Sequence, residues 1–262
     1  MKQLVDANGC RFHVEIDGPD GAPWLVLSHS LGATLDMWRP QVAAFARGFR
    51  VLRYDTRGHG ASSVTDGPYT IARLGSDVLG LLDALGVERA GYCGLSMGGA
   101  TGIWLAAHAP DRFTRMVFCN TLPWLGPPET MHSRILAVLR EGLEPLADAT
   151  MERWFTPEFR AHDPATVQEI RRQLLATSVA GYVACCAALR DYDERASLAG
   201  IAVPTMIVAG THDPAPPLAA ARAFAALLPG AALVELPAAH LTNLGATAPF
   251  NAAVLRFLGA SS

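Results

Sequence analysis

Charge is sparse in this chain. Asp, Glu, Lys and Arg make up 17% of its 262 residues, and 21 Lys+Arg against 24 Asp+Glu leave a formal net charge of −3. No basic stretch provides the electrostatic footprint of a nucleic-acid-binding protein, so no nucleic-acid partner is expected. Cysteine is scarce and odd in number: Cys10, Cys93, Cys119, Cys185 and Cys186 lack metal-ligand spacing and sit mostly in apolar runs. They read as buried free thiols of a reducing compartment rather than as a disulfide framework. Long apolar stretches are missing too. Asp6, Asn8 and Gly9 interrupt the segment where a secretory signal would be unbroken, and Tyr182–Leu189 is far too short to cross a bilayer. The expectation is a cytoplasmic protein without a membrane partner. The chain also has no fixed-period repeat, no P-loop and no dinucleotide fingerprint, so neither a metal nor another cofactor is expected.

What is present is apolar: 50% of residues are hydrophobic, which excludes disorder, and 262 residues can bury a large core without a staple. Runs dense in Val, Leu, Ile and aromatics recur at Trp24–Leu27, Arg50–Tyr54, Gly91–Gly94, Met116–Cys119, Thr205–Ala209 and Ala232–Leu236. Helical patterns lie between most of them, at Met37–Arg47, Ile71–Leu85, Met97–His108, Pro217–Leu228 and Pro249–Leu258. Continuous apolar strands alternating with helices predict an α/β fold with a mostly parallel sheet covered on both faces. Gln3–Val5 and Arg11–Ile16 alternate and are joined by Asn8-Gly9, the signature of an edge hairpin. From Pro123 to about Gly200 the pattern is helical and punctuated by Pro127-Pro128, Pro157 and Pro164. This divides the chain into a core of residues 1–122 and 201–262 and an inserted helical cap of residues 123–200. Ligands bind outside the carboxyl ends of strands in such sheets, so the cap is expected to shape the pocket.

The sharpest motif is Gly94-Leu95-Ser96-Met97-Gly98, after one apolar run and before a helix. Small residues flanking a serine permit the strained strand-to-helix turn that displays a nucleophilic hydroxyl at the sheet's edge. Serine needs a base, and the base needs an orienting acid. The order Ser, acid, His is met by Asp213, beyond one strand, and His240, beyond the next. Some relatives of such enzymes carry the acid one strand earlier, where this chain has Asn120; a neutral amide cannot serve, which leaves Asp213. His29 and His59 lie on the same edge but precede the serine, and His212 reads as a loop-packing residue. The oxyanion hole is expected from the backbone N–H groups of Met97 and Leu31. In the loop Asp55–Ser62, Asp55 and Arg57 read as braces of the turn.

These blocks resemble the α/β-hydrolase superfamily and, within it, the 3-oxoadipate enol-lactonases of aromatic catabolism. The resemblance is carried by Leu52–Ser62, Gly67–Ile71, Cys93–Gly99, Cys119–Thr121, Arg153–Pro157, Val208–Asp213 and Ala238–Leu241. His29 is followed by Ser30, as in that branch, where the wider superfamily usually has glycine. The segment Asp213–Pro217 is slightly shortened against the branch pattern. The resemblance implies a cofactor-free serine hydrolase acting on a small lactone or ester that bears a carboxylate. Arg134, early in the cap, is then the candidate carboxylate anchor, the competing reading being a surface or cap-bracing charge. Trp124 and Trp154 are candidate pocket walls, against ordinary core packing. Arg153 is a weaker rival to Arg134. A carboxylesterase, perhydrolase or carbon–carbon bond hydrolase with the same triad, and a non-catalytic binding protein of this fold, stand as alternatives.

Overall fold

The computed structural model describes residues 1–259, so the last three residues of the expected core segment lie outside the described residues. In chain order the elements are β1 (Lys2–Ala7), β2 (Cys10–Asp17), β3 (Trp24–Ser28), α1 (Arg39–Phe45), β4 (Arg50–Tyr54), α2 (Ile71–Ala84), β5 (Ala90–Leu95), α3 (Met97–His108) and β6 (Phe113–Cys119). The helices α4 (Pro128–Glu141), α5 (Glu144–Trp154), α6 (Pro157–His162), α7 (Pro164–Ala176) and α8 (Val179–Arg190) follow. The chain then forms β7 (Thr205–Gly210), α9 (Leu218–Ala226), β8 (Ala232–Leu236), α10 (Thr242–Gly245) and α11 (Thr247–Leu258).

The strands make one sheet in the order β1-β2-β4-β3-β5-β6-β7-β8. Only β1–β2 and β2–β4 pair antiparallel; the other five pairings are parallel. The edge hairpin turns at Asn8 (φ 47°) and Gly9 (φ 69°), the two left-handed residues that a two-residue turn between twisted strands requires. Strand periodicity divides the core. Leu25, Leu27, Cys93, Leu95, Val117 and Val208 face one side, while Val26, Tyr92, Phe118 and Ile207 face the other. Every residue of β5 and β7 is buried, which is why both are apolar apart from the opening Thr205, whose hydroxyl donates to Val203 O at 2.9 Å. Helix α2 shows the matching helical period: Ile71, Leu74, Val78, Leu81 and Leu82 are buried, and Thr70 caps it by accepting from Arg73 N at 3.1 Å.

Helices α4–α8 lie between the neighbouring strands β6 and β7. Proline stands in the first turn of α4, α5, α6 and α7, where its missing N–H costs no intrahelical bond. The two ends of this segment are clasped together. Trp124 and Asp193 form an antiparallel bridge, and Glu194 N donates to Pro123 O at 2.8 Å. Val138, Trp154, Leu174 and Tyr182 join the same apolar cluster as the sheet face below, so the helices are packed onto the core. Among the described residues no single helix is long and apolar enough to cross a membrane; α7 and α8 meet the length and composition only as a pair bent by 95°.

Candidate active site

Strand β5 ends at Leu95 and α3 begins at Met97, so Ser96 alone makes the turn, at φ 56° and ψ −111°. A non-glycine residue in that region is strained and persists only where its surroundings hold it. They do: Ser96 N donates to Cys119 O at 2.8 Å, and Ala100 N donates to Ser96 O at 2.8 Å. The flanking glycines are set by close packing. A Cβ at Gly94 would lie 2.2 Å from Gly98 O, and one at Gly98 would lie 2.3 Å from Ser28 O.

Asp213 follows β7 and His240 follows β8, so both leave the carboxyl ends of adjacent parallel strands. His240 Nδ1 lies 2.8 Å from Asp213 Oδ2, and both residues are buried. A carboxylate only accepts, so Nδ1 donates this bond and Nε2 is the ring nitrogen left for other work. Oδ2 of Asp213 also accepts from Asn120 Nδ2 at 2.8 Å, and Oδ1 accepts from Ala215 N at 2.9 Å. The segment that follows Asp213 thus supplies one of its donors. Asn120 is itself held by Thr242, whose hydroxyl donates to Asn120 Oδ1 at 2.7 Å. Asn120 has φ 49°, a conformation asparagine tolerates better than most residues. The residue set aside as a poor acid is therefore bonded to the acid, a role that chain order alone does not reveal.

Ser96 and His240 line one cavity of about 400 Å³ together with Leu31, Asn120, Trp124, Arg134, Arg153, Trp154 and Tyr182. Among the described residues no hydrogen bond joins the Ser96 hydroxyl to His240, whose ring bonds Asp213; such contacts commonly tighten only around substrate. Leu241 N donates to Trp154 O at 3.2 Å and ties the histidine loop to the end of α5. His212 is exposed rather than packed, because it sits at the loop tip with Nδ1 3.1 Å from Thr211 Oγ1.

The loop after β3 presents its amides selectively. Ser30 N donates to Met37 Sδ at 3.4 Å, Gly32 N to His59 Nε2 at 2.9 Å and Ala33 N to Ser30 O at 3.1 Å. Among the described residues Leu31 N has no acceptor, and neither has Met97 N at the start of α3, where Gly98 N is taken by His29 O at 3.1 Å. Two buried imidazoles fix this loop from behind. His29 Nε2 accepts from Thr56 N at 2.9 Å, while His29 Nδ1 faces Ser30 O at 2.8 Å. His59 accepts at Nε2, and its Nδ1 faces Arg57 O at 3.4 Å. Each Nε2 meets an amide donor and each Nδ1 a carbonyl, so both rings are neutral Nδ1–H tautomers. Burial lowers both pKa values, and the neighbouring His29 helps push His59 down to about 3. In sequence the two histidines read only as rival bases. Asp55 braces the adjoining turn by accepting from Leu35 N at 2.8 Å and Ala61 N at 3.0 Å, and Arg57 forks onto buried Asp77.

Arg134 and Arg153 enter the cavity from α4 and α5. Burial lowers the Arg153 pKa, and the like charge of Arg134 lowers it further. Tyr182 is pushed up to about 12 by burial, against the opposing pull of both arginines. Among the described residues no cluster of His, Cys, Asp and Glu has a metal-holding arrangement.

Comparison with known proteins agrees with this architecture. The family model described as "alpha/beta hydrolase fold" matches residues 23–246. The chain is 40% identical over 254 residues to 3-oxoadipate enol-lactonase 2 of Acinetobacter baylyi, covering 97% of this chain and 95% of that one. It is similar to the crystal structure of an enol-lactonase from Burkholderia xenovorans, with a TM-score of 0.96, 45% identity, and coverage of 98% of this chain and 100% of that one. A hydrolase structure from Pseudomonas aeruginosa matches with a TM-score of 0.95 and 47% identity over 99% of this chain and 98% of that one. An eight-stranded sheet with a serine elbow, matched by a family model over most of its length, makes this chain a member of the α/β hydrolase family, with 3-oxoadipate enol-lactonases among its similar relatives.

Proposed function

We propose that this protein is a serine hydrolase that opens 3-oxoadipate enol-lactone to 3-oxoadipate in aromatic catabolism, without a cofactor. The observation that carries the reading is one cavity holding the elbow serine, the Asp213-bound histidine and arginine side chains. It agrees with the enol-lactonase relatives over nearly the whole chain.

In this mechanism the Nε2 lone pair of His240 takes the Ser96 proton as Oγ bonds to the lactone carbonyl carbon. The tetrahedral oxyanion forms in reach of the uncommitted Leu31 and Met97 amides, each such donor typically being worth about 10²–10³ in turnover. Collapse breaks the carbon–oxygen bond to the enol, and His240 returns the proton to that oxygen. Water, deprotonated by His240, then releases the acyl group as a carboxylate and regenerates Ser96. The freed enol tautomerises to the ketone. An enol leaves more readily than an alkoxide, so the demand on His240 as an acid is modest. Arg134 anchors the substrate's existing carboxylate, and Trp124 and Trp154 form the apolar walls. Buried free thiols at all five cysteines fit a reducing cytoplasm.

The apolar lining would also accept the acyl chain of a neutral ester, which keeps a carboxylesterase as the second reading. Steady-state rates on the enol-lactone and on neutral short-chain esters separate the two. A higher kcat/KM for the lactone is expected, with Arg134→Ala raising KM for the lactone far more than for the ester. Preference for the neutral ester removes the lactonase assignment, and equal effects on both substrates remove Arg134 as the anchor.

A further inference from the structure

One anchor for one carboxylate leaves the second arginine of the cavity unexplained. Arg134 and Arg153 come from different helices into the same space, which is walled by Trp124, Trp154, Leu125 and Met131. Neither has a carboxylate partner among the described residues, and the hydrogen bond of Arg153 there is a long one of 3.5 Å to Thr150 Oγ1. The contrast with other internal arginines is sharp. Arg53 is paired with Glu15 at 2.5 Å and Asp17 at 2.9 Å, and Arg57 is forked onto Asp77. Where this chain buries a guanidinium for structure, it supplies the counter-charge. Asp213 is close enough to act electrostatically on Arg153, but its oxygens are already committed to His240, Asn120 and Ala215.

Two like charges sharing an apolar, partly desolvated space repel each other, and a single monoanion neutralises only one of them. Relief of both requires two negative charges, best supplied by flat oxyanions that match the guanidinium fork. We propose that Arg134 and Arg153 act as a pair, forming a seat for two negative charges, so that the cavity binds dicarboxylates in preference to monocarboxylates. This rests on the reading of the cavity as the substrate site. Its consequence for turnover is specific: hydrolysis of a carboxylate-bearing lactone makes a second carboxylate, so the product satisfies the pair better than the substrate and competes with it.

Isothermal titration calorimetry of the intact chain near neutral pH, with adipate and with monomethyl adipate, tests this without relying on turnover. The two probes differ by one charge at almost constant length. Adipate is expected to bind about tenfold more tightly or better, the typical gain from one further charge-assisted contact. Arg153→Gln should bring the two affinities together, and Arg153→Lys, which keeps the charge but loses the fork, should retain part of the difference. Equal binding of the probes to the unaltered protein, or binding of neither, overturns the proposal. So does a preference that survives Arg153→Gln and vanishes in Arg134→Gln, since that describes a single anchor. The unaltered protein alone decides the matter if a variant fails to fold. A chain with the diacid preference but no lactone turnover would remove the lactonase reading only; lactone turnover with equal probe binding would remove the paired seat only.

Discussion

Lowering the pH puts a defined load on the buried imidazole behind the Leu31 loop. In the unfolded chain His59 takes up a proton near pH 6.5, whereas in the folded chain burial and the adjacent His29 hold it neutral down to about 3. Between these values the unfolded state binds more protons than the native one, so this contribution to stability is complete above about pH 6.5 and is lost as pH falls toward about 3. At about 1.36 kcal/mol per pH unit, a drop to near pH 5 costs about 2 kcal/mol from this group alone. His59→Gln is the matched comparison, because the glutamine amide reaches the same place, accepts from Gly32 N and does not titrate. Urea unfolding near pH 7 and near pH 5 should show the variant gaining about 2 kcal/mol relative to the parent across that interval. Parallel pH dependence in the two proteins would refute the reasoning. The same position tests the oxyanion assignment. His59→Leu strands the Gly32 amide beside Leu31 and should lower kcat by up to about 10²-fold at unchanged KM, with His59→Gln restoring most of it.

Three further outcomes are expected. Ser96→Ala should cut turnover by about 10⁴-fold or more while the urea midpoint moves little; near-normal turnover would contradict the acyl-enzyme route. Asn120→Ala removes a donor to Asp213 and the acceptor of the Thr242 hydroxyl, so kcat should fall roughly tenfold, the equivalent of about 1.4 kcal/mol of lost positioning, with KM for a neutral ester unchanged. An Asn120→Ala enzyme with parental kcat would show that the amide is incidental. Gly98→Ala forces a methyl against Ser28 O and should destabilise the fold by about 1–3 kcal/mol in urea unfolding; a stability equal to the parent's would mean that the elbow yields more easily than its packing implies.

The parts of this architecture legible in sequence are those written in local pattern. Leu25-Val26-Leu27 and Cys93 through Leu95 are apolar without interruption because both sheet faces are covered, and no distant residue is needed to see it. The Asn8-Gly9 turn and the glycines around Ser96 are likewise local, since each answers a backbone demand at its own position. Asn120 is the opposite case. Its worth depends on Asp213, 93 residues later, and on a left-handed φ that an isolated asparagine does not announce. In sequence Arg153 reads only as a weaker rival to Arg134; the packing of α5 against the cavity is what brings it in beside Arg134, while Arg171 pairs with Glu144 and Asp148 on the surface. His59 was visible as a histidine near the right edge, but its single acceptor lone pair and the amide it serves belong to different loops.

The clasp between Trp124 and Asp193 has a consequence for how such a molecule changes over time. Because the helical segment departs and returns at one spot between two neighbouring strands, its length is nearly invisible to the sheet, and closing a longer or shorter loop there alters the chain entropy only slowly. Both guanidinium groups ride on these inserted helices, whereas Ser96, Asp213 and His240 belong to the strand ends beneath them. On the proposed reading, the choice of guest molecule and the bond-breaking apparatus thus fall largely to separate stretches of polypeptide.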